Sequence, residues 1–387
     1  MMIRLPSSIP IIDVRVLDAD DQENIWKILK YVFPSWSEKY TKVQALEEGL
    51  SNTVLRFDYD NKEDAPKSIL MRIRKKLVDS ILNRWDEIKH MCILHQLGNE
   101  QELYAVFQNG LVYSFLQGST IHVDRFSVPE YSELIIDRLA RLHSLPTKEA
   151  LLLGFSDSQK FTRLKNEFPS QTCLLNEVSY LEKLLSNVIS PVVLCHNDLL
   201  AGNIVLSPNE KSVHFIDFEY CGFNHAAFDI GNHFCEFAGI NVVNFDKYPT
   251  KEYQRMWINS YLTAKDYYTK KFNKQDHQSV NQMNQNGYCL PSFFSSNHVD
   301  QDDQCVNKSL VDKWLVEVNN FAMAAHLFWG VWAVILSNQE QNKFDYLSFS
   351  TDRCMVTVST FATKRTPTSF WSSPLVAYGN MMCLCSP

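Results

Sequence analysis

The sequence lacks a basic excess: 37 Lys and Arg stand against 44 Asp and Glu, a formal net charge of −7 over 387 residues. Phosphate backbones reward basic faces and no basic run offsets the deficit, so nucleic-acid binding is not expected. None of the ten cysteines forms a spaced CxxC pair, and Cys383 and Cys385 alone make too little of a zinc site. Free thiols in a reducing compartment are the expectation. A secretory leader is not expected in MMIRLPSSIPIIDVRV, because Pro6 and Pro10 interrupt the apolar stretch and no small-residue cleavage site follows. The longest apolar run, Phe321 to Leu336, falls short of the ~20 residues that span a bilayer and contains His326. It reads as a buried helix, with no stable membrane insertion and a cytoplasmic location. There is no internal repeat.

What is present is an ordinary globular balance, 45% hydrophobic and 21% charged, in a chain long enough for two packed units. The periodicity predicts a helix over Gln22 to Phe33. From Leu46 to Asp58 it predicts two strands around a glycine-containing turn, then a strand over Ser68 to Arg74. Asp79 to Leu97 has helical spacing, with Ile81, Leu82, Trp85, Ile88 and Met91/Cys92 as its apolar stripe. Two apolar runs, Leu103 to Phe107 and Leu111 to Leu116, flank Gln108-Asn109-Gly110, where Asn-Gly predicts a hairpin turn. Further helices are predicted at Tyr131–Ser144, Thr172–Leu185, Tyr253–Phe272 and Leu310–Leu336. Short strands and loops fill Val192 to Phe218. The polar, aperiodic stretch 273–309 reads as a long, disordered insertion. The last thirty or so residues are uninformative. A β-rich front and a helical back suit a two-lobed α+β enzyme with its site in the cleft.

The chemistry concentrates between His196 and Asp217. Asp198 and Asn203 stand five apart in H-N-D-x-x-x-x-N, and Asp217 follows fourteen residues later at the end of an apolar run, in D-F-E. Phosphoryl transfer from ATP asks a protein for a group that orients the attacking hydroxyl and accepts its proton, and for hard oxygen ligands that hold Mg²⁺ on the phosphates. One Asp with an Asn and a second Asp make that set, at the spacing of a kinase catalytic loop. Read without the rest, the same residues also suit loop capping.

No strand carries a VAIK lysine. Arg72, with apolar neighbours on both sides in Ile69 to Ile73, is the basic residue in the right strand position, and its fork suits phosphate. Glu87, on the polar side of the following stripe, can pair with it; each read alone is also an ordinary surface charge. Gly49-Leu50-Ser51-Asn52 can aim backbone N–H groups at phosphates, or form a plain hairpin.

The runs CHNDLLAGNIVL and HFIDFEYCGFNHAAFDIGNHFCEFAGI resemble the choline/ethanolamine kinase family, as do EEGLSNTV, ILMRI, NGLVYSFLQG and AMAAHLFWGVWAVIL. The wording HNDLL and EFAG resembles its ethanolamine-specific branch. The resemblance spans roughly Glu47 to Tyr346, the polar insertion excepted. It implies a two-lobed, protein-kinase-like α+β fold, with a small N-terminal lobe over 1–116 and a helical C-terminal lobe over 117–387. It implies Asp198 as catalytic base and Asn203 and Asp217 as Mg²⁺ ligands. Ser51 and Asn52 belong to the phosphate loop, Arg72 to the ATP phosphates with Glu87 as partner, and Phe115 and Leu116 to the adenine hinge. Asp229 braces the catalytic loop. A substrate ammonium wants carboxylate and aromatic faces. Glu236 supplies the first, and Trp329 and Trp332, three apart on one helix, the second; plain core packing is the other reading of that pair. Phe349 stands where the family has Tyr, and from Arg353 onward the family's last helix is not recognisable. The implied reaction is ATP-dependent phosphorylation of ethanolamine, entering phosphatidylethanolamine synthesis, with choline or dual specificity and a weakly active nucleotide-binding paralogue as alternatives. Ethanolamine is the expected partner, and a homodimer stays open.

Overall fold

The computed structural model describes residues 9–46, 52–60, 66–74, 84–96, 101–145, 171–240, 243–275, 306–337 and 344–363. The front section is built on six strands: β1 (Ile11–Ile12), β2 (Thr41–Leu46), β3 (Asn52–Tyr59), β4 (Ser68–Arg74), β5 (Leu103–Phe107) and β6 (Gly110–Ser114). They run in the order β1-β5-β6-β4-β3-β2, and only the β1–β5 pairing is parallel. The strand expected to begin at Leu46 ends there instead. The turn after it, including Ser51, lies outside the described residues.

Alternation along β4 sorts its side chains between two helices. Ile69, Met71 and Ile73 join the core shared with helix α1 (Gln22–Val32), whose N-cap Asp21 accepts from the Asn24 N–H. Leu70, Arg72 and Arg74 therefore face the other way, toward helix α2 (Arg84–Gln96). Of the predicted stripe on α2, Ile88, Met91 and Cys92 are buried, and Ile81 and Leu82 lie outside the described residues. Trp85 is exposed, and Glu87, expected on the polar side, is buried beside Ile88 and Met91. Apolar periodicity could not foresee this, because two arginines on the facing strand reward a carboxylate there.

The hairpin also differs from expectation. Phe107 pairs with Gly110, so the two-residue turn is Gln108-Asn109 and Gly110 opens the strand, which ends at Ser114. The glycine answers a close approach: a Cβ would stand 2.2 Å from the Arg72 carbonyl oxygen. Asn109 spends its amide on Val16, accepting from its N–H at 3.0 Å and donating to its carbonyl at 2.7 Å.

The larger lobe is helical: α3 (Pro129–Leu142), α4 (Gln171–Leu184), α5 (Ala226–Glu236), α6 (Lys251–Gln275), α7 (Lys308–Ser337) and α8 (Tyr346–Thr363). Five short strands, β7 (Ser119–Thr120), β8 (Val192–Cys195), β9 (Ile204–Leu206), β10 (Val213–Phe215) and β11 (Gly222–His225), form the sheets β10-β9-β7 and β11-β8. This is the two-lobed, protein-kinase-like α+β arrangement the sequence implied. The ends of the expected insertion are helical, since α6 runs to Gln275 and α7 starts at Lys308; 276–305 lie outside the described residues. In the tail, α8 carries Arg353 and continues to Thr363, and 364–387 lie outside the described residues.

Among the described residues one helix, α7, is long and apolar enough to cross a membrane, and 67% of its most apolar window is buried inside the protein. That is the burial of a core helix. Cys92, Cys195, Cys221, Cys235 and Cys354 are buried and form no disulfide. α5 and α7 meet at Gly231, where a Cβ would stand 2.5 Å from the Val318 carbonyl oxygen and 2.8 Å from the Ala322 nitrogen. Gly231→Ala forces the helices apart and is expected to cost ~1–3 kcal/mol, read by urea unfolding. Unchanged stability would show that the two helices separate freely.

Candidate active site

Strand β8 delivers the chain into the segment His196-Asn197-Asp198. Its bend needs Asn197 in the left-handed region, at φ 66°, which Asn tolerates better than most residues. The bend is held from α5. Asp229, fully buried, accepts from the His196 and Asn197 backbone N–H groups at 2.6 Å each, and from His143 Nε2 at 2.9 Å. Burial alone would raise the Asp229 carboxyl. The His143 hydrogen bond and the charge and N–H of His196 outweigh it and hold the pKa below the ordinary value. Burial lowers the His143 pKa from its ordinary value, against the pull of Asp229. With Nε2 donating to Asp229, its Nδ1 accepts from the Tyr261 hydroxyl at 2.7 Å. The bracing role expected of Asp229 is thus built from three named hydrogen bonds.

Asp198 projects from this loop beside Asn203. The Asn203 Nδ2 donates to the Asp198 carbonyl at 2.9 Å and to its carboxylate at 3.1 Å. Both bonds use the nitrogen, which leaves Asn203 Oδ1 as the oxygen for a cation. Burial first, then the neighbouring Glu236, Asp217 and Glu219 carboxylates, push the Asp198 carboxyl well above the ordinary range, against the Asn203 hydrogen bond. Asp217 follows β10 at φ 61°, again left-handed, with its side chain 36% exposed.

From the opposite lobe Arg72 reaches across. Its Nη1 donates to Asp217 Oδ1 at 2.8 Å, and its other terminal nitrogen pairs with Glu87. Arg74 pairs with the same glutamate, so one buried carboxylate serves two buried guanidinia. The Arg72–Glu87 pairing expected from the sequence is present; Arg74 was missed, though period-two spacing places it on the face of Arg72. Asn52 opens β3 and donates to Glu219 Oε2 at 3.4 Å.

Trp329 and Trp332 line the other end of the site. Trp329 Nε1 donates to Asn232 Oδ1 at 2.9 Å, and Trp332 Nε1 to the Tyr220 hydroxyl at 2.7 Å. These bonds fix both indoles, which meet edge to face at 5.4 Å. Glu236 ends α5 and is paired with Arg353 at 2.7 Å.

One cavity of about 590 Å³ joins all of this. Asn52, Arg72, Glu87, Phe115 and Leu116 line its front. Asp198, Asn203, Asp217, Glu236, Trp329 and Trp332 line its back. Every predicted site residue except Ser51 is therefore gathered there. Reading by motif missed Glu219, Tyr220 and Arg353, which also line it. Glu219 and Tyr220 follow Asp217 directly, and that adjacency was the available signal. Arg353 had none, being 117 residues from its partner.

His233, packed under the loop against Leu199 and Phe126, and His90 on α2 are both lowered by burial from 6.5 to about 4. Above pH 6.5 neither state of the chain binds these protons. Between 6.5 and about 4 only the unfolded chain does, so stability falls as pH falls through that window. His233→Gln is expected to flatten the slope of unfolding free energy against pH by about 1.4 kcal/mol per unit within it. Parallel slopes for the two proteins would contradict this.

A family model described as choline/ethanolamine kinase matches residues 43–358. Ethanolamine kinase 1 of Mus musculus is 32% identical over 366 residues, covering 89% of this chain and 92% of its own. Ethanolamine kinase 1 of Homo sapiens is 31% identical over 363 residues, covering 88% of this chain and 73% of its own. Among solved structures, a Plasmodium vivax ethanolamine kinase is similar at a TM-score of 0.68 and 23% identity, covering 90% of this chain and 91% of that one.

Proposed function

Because this chain belongs to the choline/ethanolamine kinase family, we propose that it transfers the γ-phosphoryl group of ATP to the hydroxyl of ethanolamine, giving phosphoethanolamine and ADP. The observation that carries this reading is the joint lining of one cavity by Asp198 and Glu236. An amino alcohol has a hydroxyl at one end and a cation at the other, and these two carboxylates meet both. Asp198 accepts the hydroxyl proton as the oxygen attacks phosphorus. Glu236 and the Trp329 and Trp332 rings receive the ammonium. After burial, the charge of Glu236 helps raise the Asp198 carboxyl above its ordinary range. A bound ammonium offsets that charge and favours the base form, so the substrate helps prepare its own base.

Arg72 and Asn52 are assigned to the ATP phosphates, with Ser51 beside them in the chain, and Phe115 and Leu116 to the adenine at the hinge. The lobes are divided after 116. Asn203 Oδ1 and the half-exposed Asp217 carboxylate offer hard oxygens on one side of the cavity, a donor set that fits Mg²⁺. Bound there, Mg²⁺ neutralises phosphate charge. The buried free thiols support a reducing compartment, the cytoplasm.

The test is turnover with Mg-ATP across ethanolamine, its N-methyl and N,N-dimethyl derivatives, and choline. Preference for ethanolamine in kcat/KM is expected. A tenfold preference for choline, about 1.4 kcal/mol in transition-state binding, would assign the chain to choline instead. Nucleotide binding with no phosphorylated product would leave a binding protein.

A further inference from the structure

Arg353 lies one turn after Phe349 on α8, so the two side chains share a face. Its Nη2 donates to Glu236 Oε1 at 2.7 Å, and its guanidinium carbon stands 4.9 Å from the centre of the Phe349 ring. All three residues line the cavity. Both charged side chains are buried, 4% exposed for Arg353 and 6% for Glu236. The helix that carries Arg353 is seated closely on α7, next to Trp329. Ser350 Oγ donates to the Gly330 carbonyl at 2.7 Å, and a Cβ on Gly330 would stand 2.5 Å from Cys354 Sγ. The guanidinium is thus held by a carboxylate, a ring face and the packing of its own helix.

We propose that Arg353 is the positioning residue for the acceptor's ammonium: it fixes Glu236 so that the second carboxylate oxygen is presented to the cavity, and so favours ammonium groups that carry N–H bonds. The proposal rests on the acceptor being an amino alcohol. The planar guanidinium gives Glu236 a single Nη2–H bond while it lies against the Phe349 ring, which limits how the pair can turn; a lysine ammonium lacks that plane. A primary ammonium brings three N–H donors and gains from an oriented oxygen. A trimethylated nitrogen has no such donor and draws on aromatic faces instead. The Phe349 face is already occupied by Arg353, so the wall that would serve a quaternary group is reduced while the carboxylate edge is kept.

Arg353→Met tests this, with KM measured for ethanolamine, choline and ATP. The ethanolamine KM is expected to rise about tenfold or more, the scale of one charge-assisted contact, with the choline KM rising less and the ATP KM within about twofold. Arg353→Lys keeps a cation without the planar fork, so it should fall between wild type and Arg353→Met. If Arg353→Met does not fold, a raised ethanolamine KM at unchanged ATP KM in Arg353→Lys is the supporting result. An ethanolamine KM unmoved in both variants, or equal rises for all three ligands, would overturn the positioning role alone. Failure of the wild type to turn over any amino alcohol would overturn the kinase reading and this proposal together.

Discussion

Asp198→Ala lowers turnover by ~10²–10⁴-fold and leaves Mg-ATP binding close to wild type, the usual scale of a lost general base. The reasoning is local. The carboxylate sits on a loop held by Asp229, beside Asn203, in the same cavity as the residues assigned to the phosphates and the ammonium. The substitution removes proton acceptance and leaves the loop's other hydrogen bonds in place. A buried carboxyl raised by burial and by three neighbouring carboxylates also costs the fold stability. Asp198→Ala is therefore expected to unfold at the same denaturant concentration as wild type or higher, which separates lost chemistry from lost structure. Steady-state kinetics, ATP calorimetry and urea unfolding on one preparation decide it. Near-normal turnover would mean that another group is the base.

Glu87→Gln destabilises the protein by ~3–5 kcal/mol, because it strips the shared carboxylate from two buried guanidinia. Arg72 and Arg74 stand two apart on one face of β4, and both pair with Glu87. Without it their charges repel across the face that packs on α2. Arg72→Met is expected to cost less, since Glu87 keeps Arg74, and of the other carboxylates released Asp217 is partly exposed and screened while Glu219 stands at a long 4.0 Å. The order of the two variants in urea unfolding is the decisive measurement. Equal stabilities would mean that Glu87 serves only one arginine. The ATP KM should rise in both, because Glu87→Gln takes a tether from Arg72 and Arg72→Met removes the guanidinium itself.

How much was legible in advance varied with distance along the chain. Ser68–Arg74 was placed to the residue as a strand, and the ladder with β6 confirms its alternation. The α2 stripe held at Ile88, Met91 and Cys92, but the burial of Glu87 was missed, because helical periodicity alone cannot register that the facing strand presents two arginines. Asn109-Gly110 was a sound hairpin signal placed one residue late, since packing against the Arg72 carbonyl, rather than turn geometry, required the glycine. The tail was unreadable from Arg353 onward, yet the structure continues the helix to Thr363 and places Arg353 in the cavity.

By itself the sequence determined the reaction class, because the Asp198, Asn203 and Asp217 spacing is local and a backbone bend is enough to express it, and the HNDLL and EFAG runs carried the resemblance to the family. It also determined which face of β4 carries the arginines, a consequence of period two. Only the tertiary structure decided who answers those charges: Glu87 between two guanidinia, Asp229 beneath the loop, and Arg353 against Glu236. These pairs join positions 13 to 117 residues apart. A buried charge accepts whatever opposite charge folding brings to it, and no pattern along the chain names that partner in advance.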